Sequence, residues 1–521
     1  MQGFTKNKSI IYGVQDSGAV ASIPITAEGH MEVALHAPRH PFGSIHTESL
    51  TPVFQLDAVY GINGGQTYTT TSGTGAVTGT QNVFKAATGT TIYSAATIQS
   101  RKRLRYRAGQ GIVGRFAGLF STPAASSYIL AGLGTAEAGY YFGYQGTSFG
   151  ILHVTGGVRE IQTLTVTTAS TATNNYVVTL GGTAFTVTAT NNGSTVKTAY
   201  EIAQGTFTGW KAEQRGSTVV FIADAAGDKT GTFSLAQTGA GVPAAGTFAE
   251  TLAGVASTDT FIAQSSWNGD KLDGTGASGV TLDPAKGNVY QIGVQYLGFG
   301  TVSFAIEVCS VDGNNADFVT VHTIKNPNAL TAVHTSQPSF PFTMAAYSAG
   351  STTDVWVKVG SCAGFIEGEK EYTGARMTYN NTSTAVSNVA YYCLATVRNS
   401  RVYNGRANQS VIHIKSFGGA HDDTTPVILY LIRDATLAGT PSFAQFSTNS
   451  PTYWDTAATT CTFTNNEQIV ATMPLGASGS GLFAFEDDVT IQPGETITLA
   501  ARGTAANVPI VTMTMNTRED Q

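Results

Sequence analysis

Hydrophobic and polar residues alternate in short runs along most of this chain. The segments RLRYRAG and NVYQIGV show the alternation clearly, and glycines follow or interrupt both runs. A period of two residues indicates strands with one buried face, and closely spaced turn residues indicate antiparallel connections. The pattern predicts a mainly-β protein made of antiparallel β-sandwiches.

The strand-like runs fall into blocks that differ in residue pattern, and these blocks predict the domain organisation. Two blocks with the same residue pattern are separated by about a hundred residues, so we expect one sandwich that is split by an insertion. The insertion predicts a small α+β module, and the last block predicts a second sandwich of the jelly-roll type. The predicted parts are an N-terminal docking arm (1–50), a split β-sandwich (51–160 plus 266–372), an inserted α+β module (161–265), a polar linker around Thr373 to Ser387, and a C-terminal jelly-roll-like β-sandwich (388–521).

Three local patterns sharpen this prediction. Strand-like alternation on both sides of Glu28-Gly29 predicts a hairpin in the arm. The turn Pro493-Gly494, between two alternating runs, predicts a type II turn. The segment LTPVFQLDAVYGIN predicts a core strand, anchored by Val53, Leu56, Val59 and Tyr60.

The inserted module contains the chain's clearest helical pattern. Ser194 is a predicted N-cap, and Val196, Tyr200, Ala203 and Phe207 share one face of the helix that follows.

Composition excludes several classes of protein. Of 521 residues only 12% are charged and 42% are hydrophobic, a combination opposite to that of disordered chains. The net charge of −6 argues against general binding to nucleic acid. The chain begins without the apolar run of a signal peptide, and no apolar run approaches the roughly 18 residues that a membrane-spanning helix needs. We therefore expect neither a membrane span nor a nucleic-acid partner.

The four cysteines are far apart in the sequence, at Cys309, Cys362, Cys393 and Cys461. The spacing lacks the close pairs of zinc sites. We expect isolated buried thiols, without a disulfide framework or a metal.

The basic run RKRLRYRAGQGIVGRF contains two competing signals. Gly109, Gly111 and Gly114 match the spacing of a dinucleotide fingerprint, but the pattern on both sides of them is that of strands, so a turn or bulge is the better interpretation. The arginines form the second signal, because alternate residues of one strand share a face. That face predicts either a solvated strand or an assembly interface that pairs with carboxylates of a neighbouring subunit. The arginines assigned to this possible interface are Arg101, Arg103, Arg105 and Arg107.

Candidate catalytic and metal-binding residues are few. Glu367, Glu369 and Glu371 alternate on one predicted strand, as glycosidase carboxylates can, but an exposed edge is the simpler interpretation.

Two loops contain possible metal ligands, but turn capping in one and a plain hairpin loop in the other are the better interpretations. We assign no catalytic residue, cofactor or metal from the sequence. The loop residues are His421, Asp422 and Asp423 in one loop, and Asp312, Asn315 and Asp317 in the other.

Several segments of the chain resemble segments of known proteins. HPFGSIHTESLTPVFQLDAVYGIN, RLRYRAGQGIVGRFAGLF, GYYFGYQGTSFGILHVTGG and KGNVYQIGVQYLGFGTVSFAIE are similar to virion structural proteins of tailed bacteriophages and other large double-stranded DNA viruses. GYYFGYQGTSFGIL and YQIGVQYLGFG also resemble the concanavalin-like lectin sandwich. The glycosidases of that fold carry a Glu-x-Asp-x-x-Glu strand, from which Glu367 to Glu371 departs. The resemblance implies binding or assembly rather than catalysis.

These observations lead to one main hypothesis and two alternatives. The main hypothesis is a non-enzymatic virion structural protein of the capsid, vertex or tail, made in the host cytoplasm, with other virion proteins and copies of itself as partners. The first alternative is a receptor-binding adhesin that holds a host-surface glycan, with Trp267 and Trp454 stacking on sugar rings from loop tips. The second is an enzyme that cleaves surface polysaccharide.

Overall fold

The structure of the chain, a computed structural model, divides into two compact units, Met1–Ser49 and Leu50–Gln521. Each unit is described by itself. The residues that the structure describes are 12–14, 20–22, 50–107, 109–190, 193–309, 316–335, 338–368, 374–383, 386–506 and 509–520, with the backbone alone at 487 and 488.

The described part of the first unit is a short hairpin. Strands β1 (Tyr12–Val14) and β2 (Val20–Ser22) pair antiparallel. The hairpin predicted around Glu28-Gly29, and most of the predicted docking arm, lie outside the described residues.

The second unit begins with a large antiparallel sandwich that an insertion interrupts. In the described part of this sandwich, nine strands precede the insertion and six follow it. The strands before the insertion are β3 (Leu50–Asp57), β4 (Thr67–Ser72), β5 (Ala76–Thr80), β6 (Val83–Ala87), β7 (Ala95–Arg105), β8 (Ile112–Phe120), β9 (Ser127–Gly134), β10 (Gly139–Gln145) and β11 (Ser148–Thr155).

The insertion is a smaller α+β body with a core of its own. Two sheets, in the orders β15-β16-β12-β18 and β14-β13-β17, enclose this core together with the helix α1. Its elements are β12 (Arg159–Thr168), β13 (Tyr176–Leu180), β14 (Thr183–Val187), α1 (Thr195–Ala203), β15 (Trp210–Arg215), β16 (Thr218–Ala226), β17 (Ser234–Gln237) and β18 (Ala245–Leu252).

The chain then returns to the first sandwich. A 3-10 turn at Gln264–Ser266 follows the first returning strand. The returning strands are β19 (Thr258–Ala263), β20 (Asn288–Val294), β21 (Val302–Cys309), β22 (Ala316–Ile324), β23 (Ser339–Ser348) and β24 (Trp356–Glu367).

The strands before and after the insertion share both sheets of this sandwich. The seven-stranded sheet has the order β19-β11-β10-β9-β23-β7-β4, and the eight-stranded sheet contains β22-β21-β20-β8-β24-β6-β5, with β3 beside β24. Inward-facing aromatic rings fill the space between the sheets. Phe116 stacks on Tyr290 with ring centroids 5.0 Å apart, and Phe142 lies 4.9 Å from Tyr290. Burial of these rings contributes to the stability of the sandwich together with the aliphatic side chains of the core.

The C-terminal body is a second sandwich. A 3-10 turn lies at Asn466–Gln468. The strands are β25 (Arg376–Thr382), β26 (Tyr391–Asn399), β27 (Val402–Tyr403), β28 (Arg406–Ala407), β29 (Val411–His421), β30 (Val427–Arg433), β31 (Thr436–Gly439), β32 (Ala444–Gln445), β33 (Thr452–Asp455), β34 (Ala458–Thr462), β35 (Ile469–Leu475), β36 (Ser480–Ile491), β37 (Thr496–Gly503) and β38 (Val511–Asp520).

Eight strands of this second sandwich follow the jelly-roll order. One sheet is β25-β38-β29-β36, and the other contains β26-β37-β30-β35, so every connection between successive strands of the eight crosses between the sheets except the one from β30 to β35, as in a jelly roll. The small strands β31 to β34 extend the second sheet. The predicted fold class, a mainly-β protein with antiparallel sandwiches, is confirmed.

The structure corrects several details of the sequence prediction. Thr258–Ala263, which was assigned to the inserted module, pairs with β11 of the first sandwich. Arg376–Thr382, in the predicted linker, is a strand that pairs with β38 and buries Tyr379 completely. The predicted core strand ends at Asp57, so Val59 and Tyr60 are exposed instead of buried. In each case a tertiary pairing, which local patterning does not encode, determines the outcome.

The helix of the module begins where the sequence predicts, but a different face is buried. The Ser194 hydroxyl accepts a hydrogen bond from the backbone N–H of Lys197, which confirms the N-cap. The buried residues are Thr198, Ala199 and Ile202, whereas the predicted face is only half-buried along the helix. Tyr200 of that face donates its hydroxyl hydrogen to the carbonyl of Leu437 in the C-terminal sandwich.

The cysteines are free thiols. Cys362 and Cys461 are buried, Cys393 is half-buried and hydrogen-bonds Cys461, and Cys309 is exposed, which corrects the expectation of isolated buried thiols. Among the described residues, no helix has the length and apolar character needed to cross a membrane.

Candidate functional site: the junction of the two sandwiches

Buried carboxylates bind arginines where the bodies of the second unit meet. The strands that carry the predicted basic face lie at this junction, which makes it the candidate functional site. Three buried carboxylates bind groups from two bodies at this junction. We call them the junction carboxylates: Glu213, Glu495 and Asp520.

Glu495 joins the first sandwich to the C-terminal sandwich. The turn that presents it contains Pro493-Gly494, with Gly494 at a φ of 92°, which confirms the predicted type II turn signal. One carboxylate oxygen accepts a hydrogen bond of 2.6 Å from Arg101, and the other accepts one of 2.6 Å from Arg433. The carboxylate thus pairs with one cation from each sandwich.

Tyr68 completes the Glu495 cluster. Its hydroxyl donates to the Glu495 carboxylate at 3.1 Å, and the Arg101 guanidinium lies 4.0 Å from the centre of its ring. Burial and the negative charge of Glu495 raise the pKa of Tyr68 to about 12. The phenol therefore remains a hydrogen-bond donor at neutral pH.

Asp520, at the end of β38, makes a second connection between the two sandwiches. Arg107 donates to its carboxylate at 2.7 Å, and Arg105 donates to its backbone carbonyl oxygen. His413 lies 3.9 Å from the same carboxylate. Burial opposes ionisation of Asp520, but the neighbouring His413, Arg105 and Arg107 outweigh it, so its pKa lies below the ordinary value.

Glu213 joins the inserted module to the C-terminal sandwich. Its carboxylate accepts hydrogen bonds from the Arg215 side chain at 2.7 Å and from the backbone N–H of Arg401 at 2.8 Å. Ser400 also donates to it. Burial opposes ionisation, but the charges of Arg398 and Arg215 prevail and lower the pKa of Glu213.

Carboxylates of the same chain therefore bind most of the arginines of the predicted basic face. Arg101, Arg105 and Arg107 bind carboxylates of the C-terminal sandwich, not of a neighbouring subunit, because the jelly roll packs against this end of β7. Arg103 is half-buried and faces another groove, described below. The sequence could not identify the partners, since about 400 residues separate the groups. Whether copies of the chain also contact this strand stays a prediction.

The glycines that follow the basic face lie between two strands. Gly109, at a φ of 88°, forms the turn between β7 and β8, and Gly111 precedes β8. The prediction of a turn instead of a nucleotide-binding loop is confirmed for these two residues, while Gly114 lies inside β8. The Gly111 N–H donates to the Glu367 carboxylate at 3.2 Å. Glu367 is thus buried, which corrects its assignment to an exposed edge; Glu369 and Glu371 lie outside the described residues.

The two tryptophans proposed as glycan contacts do not lie at loop tips. Trp267 is only 2% exposed and packs in the core against Phe142 and Phe149. Trp454 lies in strand β33, where it is half-buried and meets the ring of Phe446 edge-on at 5.3 Å. The predicted placement of both rings at loop tips is therefore wrong, and Trp267 is too deeply buried to contact a sugar. A glycan contact of Trp454 stays a prediction.

The loop residues considered as metal ligands serve as local caps where they are described. The Asp423 carboxylate accepts the N–H of Thr425 at 2.7 Å, and a ring nitrogen of His421 is 2.7 Å from the carbonyl oxygen of Gly476. Asp317 accepts the N–H of Phe318, whereas Asp312 and Asn315 lie outside the described residues. Within the described ranges, no three His, Cys, Asp or Glu side chains are grouped to hold a metal ion.

Comparisons with known proteins add little to this geometry. No protein-family model matches the chain, and no curated protein is similar to it in sequence. Among solved structures, the Faustovirus major capsid protein is similar at 8% identity and a TM-score of 0.11, covering 88% of this chain and 91% of that chain. A likeness at that TM-score carries no argument about fold or function.

Proposed function

We propose that this chain is a non-enzymatic virion structural protein, a component of a capsid, vertex or tail that acts through protein–protein contacts. The observation that carries the proposal is the set of junction carboxylates. Glu495 and Asp520 of the C-terminal sandwich bind arginines of the first sandwich, and Glu213 of the inserted module accepts hydrogen bonds from the Arg401 backbone N–H and the Ser400 hydroxyl of the C-terminal sandwich. Three β-rich bodies connected in this way behave as one rigid block, which is the property that a particle component needs.

The architecture supports the same function. Jelly rolls occur in viral capsid and lectin domains, and sandwiches of this size offer broad, rigid surfaces. A contact of about 1,600 Å² between such surfaces is typical of specific, stable association. The resemblance of the sequence to virion structural proteins also favours assembly.

Edge strand β36 is the surface we propose for contacts between copies or with other virion proteins. Among the described strands it pairs only with β29, which leaves its other edge without a partner in the sheet. Leu482 is 68% exposed and Phe483 is 42% exposed on this strand. Apolar side chains on an open edge favour pairing with another chain. We therefore expect a homo-oligomer located in the virion.

The direct test is to look for the chain in purified particles and to measure its copy number by cryo-electron microscopy. We expect many symmetric copies in a shell or tube, or a fixed small number at a vertex or tail. In parallel, light scattering after size-exclusion chromatography should show an oligomer at micromolar concentration.

A matched pair of variants tests the proposed surface. Leu482→Lys should shift the oligomer towards monomer, whereas Val255→Lys, at a 51% exposed residue of another body, should not. A chain that stays monomeric and is absent from the particles would disprove the assembly function.

A further inference from the structure

The outer face of the seven-stranded sheet forms a groove that the assembly function does not use. Alternate residues of β9, β23 and β7 point into the core, and the residues between them line a cavity of about 580 Å³. That volume lies within the range of small-molecule sites. The inserted module contributes Arg159 and Asp224 to the lining, so the groove is bounded by two bodies of the chain.

Tyrosine rings lie on the floor of the groove. Tyr128 and Tyr347 are partners in the register of β9 and β23, and their ring centroids are 6.1 Å apart at an angle of 35°. Tyr347 is 40% exposed and Tyr128 is half-buried. A ring with an open face next to a hydroxyl suits a ligand that has both apolar C–H faces and polar groups.

Hydroxyl and amide groups occupy the next row of the floor. The Gln99 amide donates to the Thr343 hydroxyl at 3.0 Å, and that hydroxyl donates to the carbonyl of Gly134. Thr97 and Thr70 line the same part of the groove. These side chains project from paired strands, so they are fixed in position before a ligand binds.

Charged groups form the wall next to the inserted module. Arg159 pairs with Glu137 at 3.0 Å, and Lys211 lies 3.6 Å from Asp224. Arg103 forms no ion pair with any residue in the described part of the chain, although Glu137 acts on it at longer range. It is therefore available to donate hydrogen bonds into the groove, while Asp259 of the same lining can accept them.

We propose that this groove binds an oligosaccharide. A pyranose ring has an apolar C–H face, which fits the Tyr128–Tyr347 pair. Its hydroxyls both donate and accept hydrogen bonds, so they suit the polar side chains around Gln99 and Arg103. An extended peptide fits less well, because β9, β23 and β7 each pair on both sides and leave no free edge for an added strand. A lipid chain fits less well because threonine and glutamine side chains interrupt the floor. The proposal goes beyond the assembly function and does not depend on it.

The purified full-length chain is tested on a printed array of neutral and acidic oligosaccharides of two to six units. The strongest signals are followed by titration calorimetry with the same oligosaccharides. We expect Tyr347→Ala and Tyr128→Ala each to weaken binding about tenfold, equivalent to about 1.4 kcal/mol. Arg103→Gln should also weaken it.

Tyr60→Ala is the matched control, because Tyr60 is fully exposed outside the groove. It should leave binding unchanged, and circular dichroism checks that every variant is folded. An array without signal overturns the proposal, as does binding that survives both tyrosine variants. Either failure leaves the assembly function intact, since that function is tested by particle content and oligomeric state.

Discussion

Arg101 and Glu495 meet at 2.6 Å across the boundary between the two sandwiches, although 394 residues separate them in the sequence. The Arg101 side chain is 27% exposed and that of Glu495 is 6% exposed. The same carboxylate holds Arg433 of the C-terminal sandwich. Removal of the negative charge would leave two partly buried cations facing each other.

Glu495→Gln should therefore destabilise the chain. We expect a loss of about 3 kcal/mol in the free energy of unfolding, at the low end for broken buried pairs because both arginines retain some solvent contact. Urea unfolding followed by circular dichroism measures it. The control is Glu250→Gln, which changes an exposed glutamate of β18 and should have little effect. Equal stabilities of the two variants would contradict the assigned role of Glu495.

The sequence predicted the elements of this junction but not the junction itself. Alternation along RLRYRAG identified a strand with an arginine face, and Pro493-Gly494 identified the turn that presents Glu495. Both signals are local, and each is set by a few residues. The packing of one sandwich on the other depends on summed contacts between distant surfaces, which no local pattern records. For that reason the sequence predicted an arginine face open to solvent or to a neighbouring subunit, and not one bound by carboxylates of the same chain.

Acid should weaken the connection at Asp520. The pKa of this carboxyl is lower in the folded chain than its ordinary value of about 3.9, so its ionised form stabilises the fold. This contribution is fully present above about pH 4 and is lost as the pH falls through the lower folded-state pKa. The stability difference between the natural chain and Asp520→Asn should therefore be large at pH 7 and shrink below pH 4. A difference that stays constant from pH 7 to pH 3 would count against this role.

The buried His334 and the half-buried His153 predict a second, separate pH dependence. Burial lowers the pKa of both His153 and His334 to about 4, and the Tyr140 hydroxyl bonds a ring nitrogen of His334 at 2.6 Å. Because the unfolded chain binds these protons near pH 6.5, stability should fall as the pH drops from about 6.5 to 4. Thermal unfolding across that range measures the slope. His334→Gln should reduce the slope, and an unchanged slope would show that His334 is not responsible.

The groove also shows what alternation can and cannot predict. Alternation in SYILAGLG predicts that Tyr128 and Leu130 share one face. It does not predict that Tyr347, more than 200 residues later, becomes the cross-strand neighbour of Tyr128. Strand order brings the two rings together, and strand order depends on packing between segments that are distant in the sequence. Trp267 and Trp454 were instead proposed as glycan contacts because the sequence predicted them at loop tips.

The different environments of these two tryptophans predict different losses of stability. Trp267 is enclosed by the core of the first sandwich, so Trp267→Ala leaves a large cavity and should cost about 4 kcal/mol. Trp454 is only half-buried against Phe446, and Trp454→Ala should cost about 2 kcal/mol. Urea unfolding monitored by circular dichroism avoids the change in fluorescence that each substitution causes. Equal losses would mean that Trp267 does not have the enclosed position described above, because a ring open to solvent leaves no cavity when it is removed.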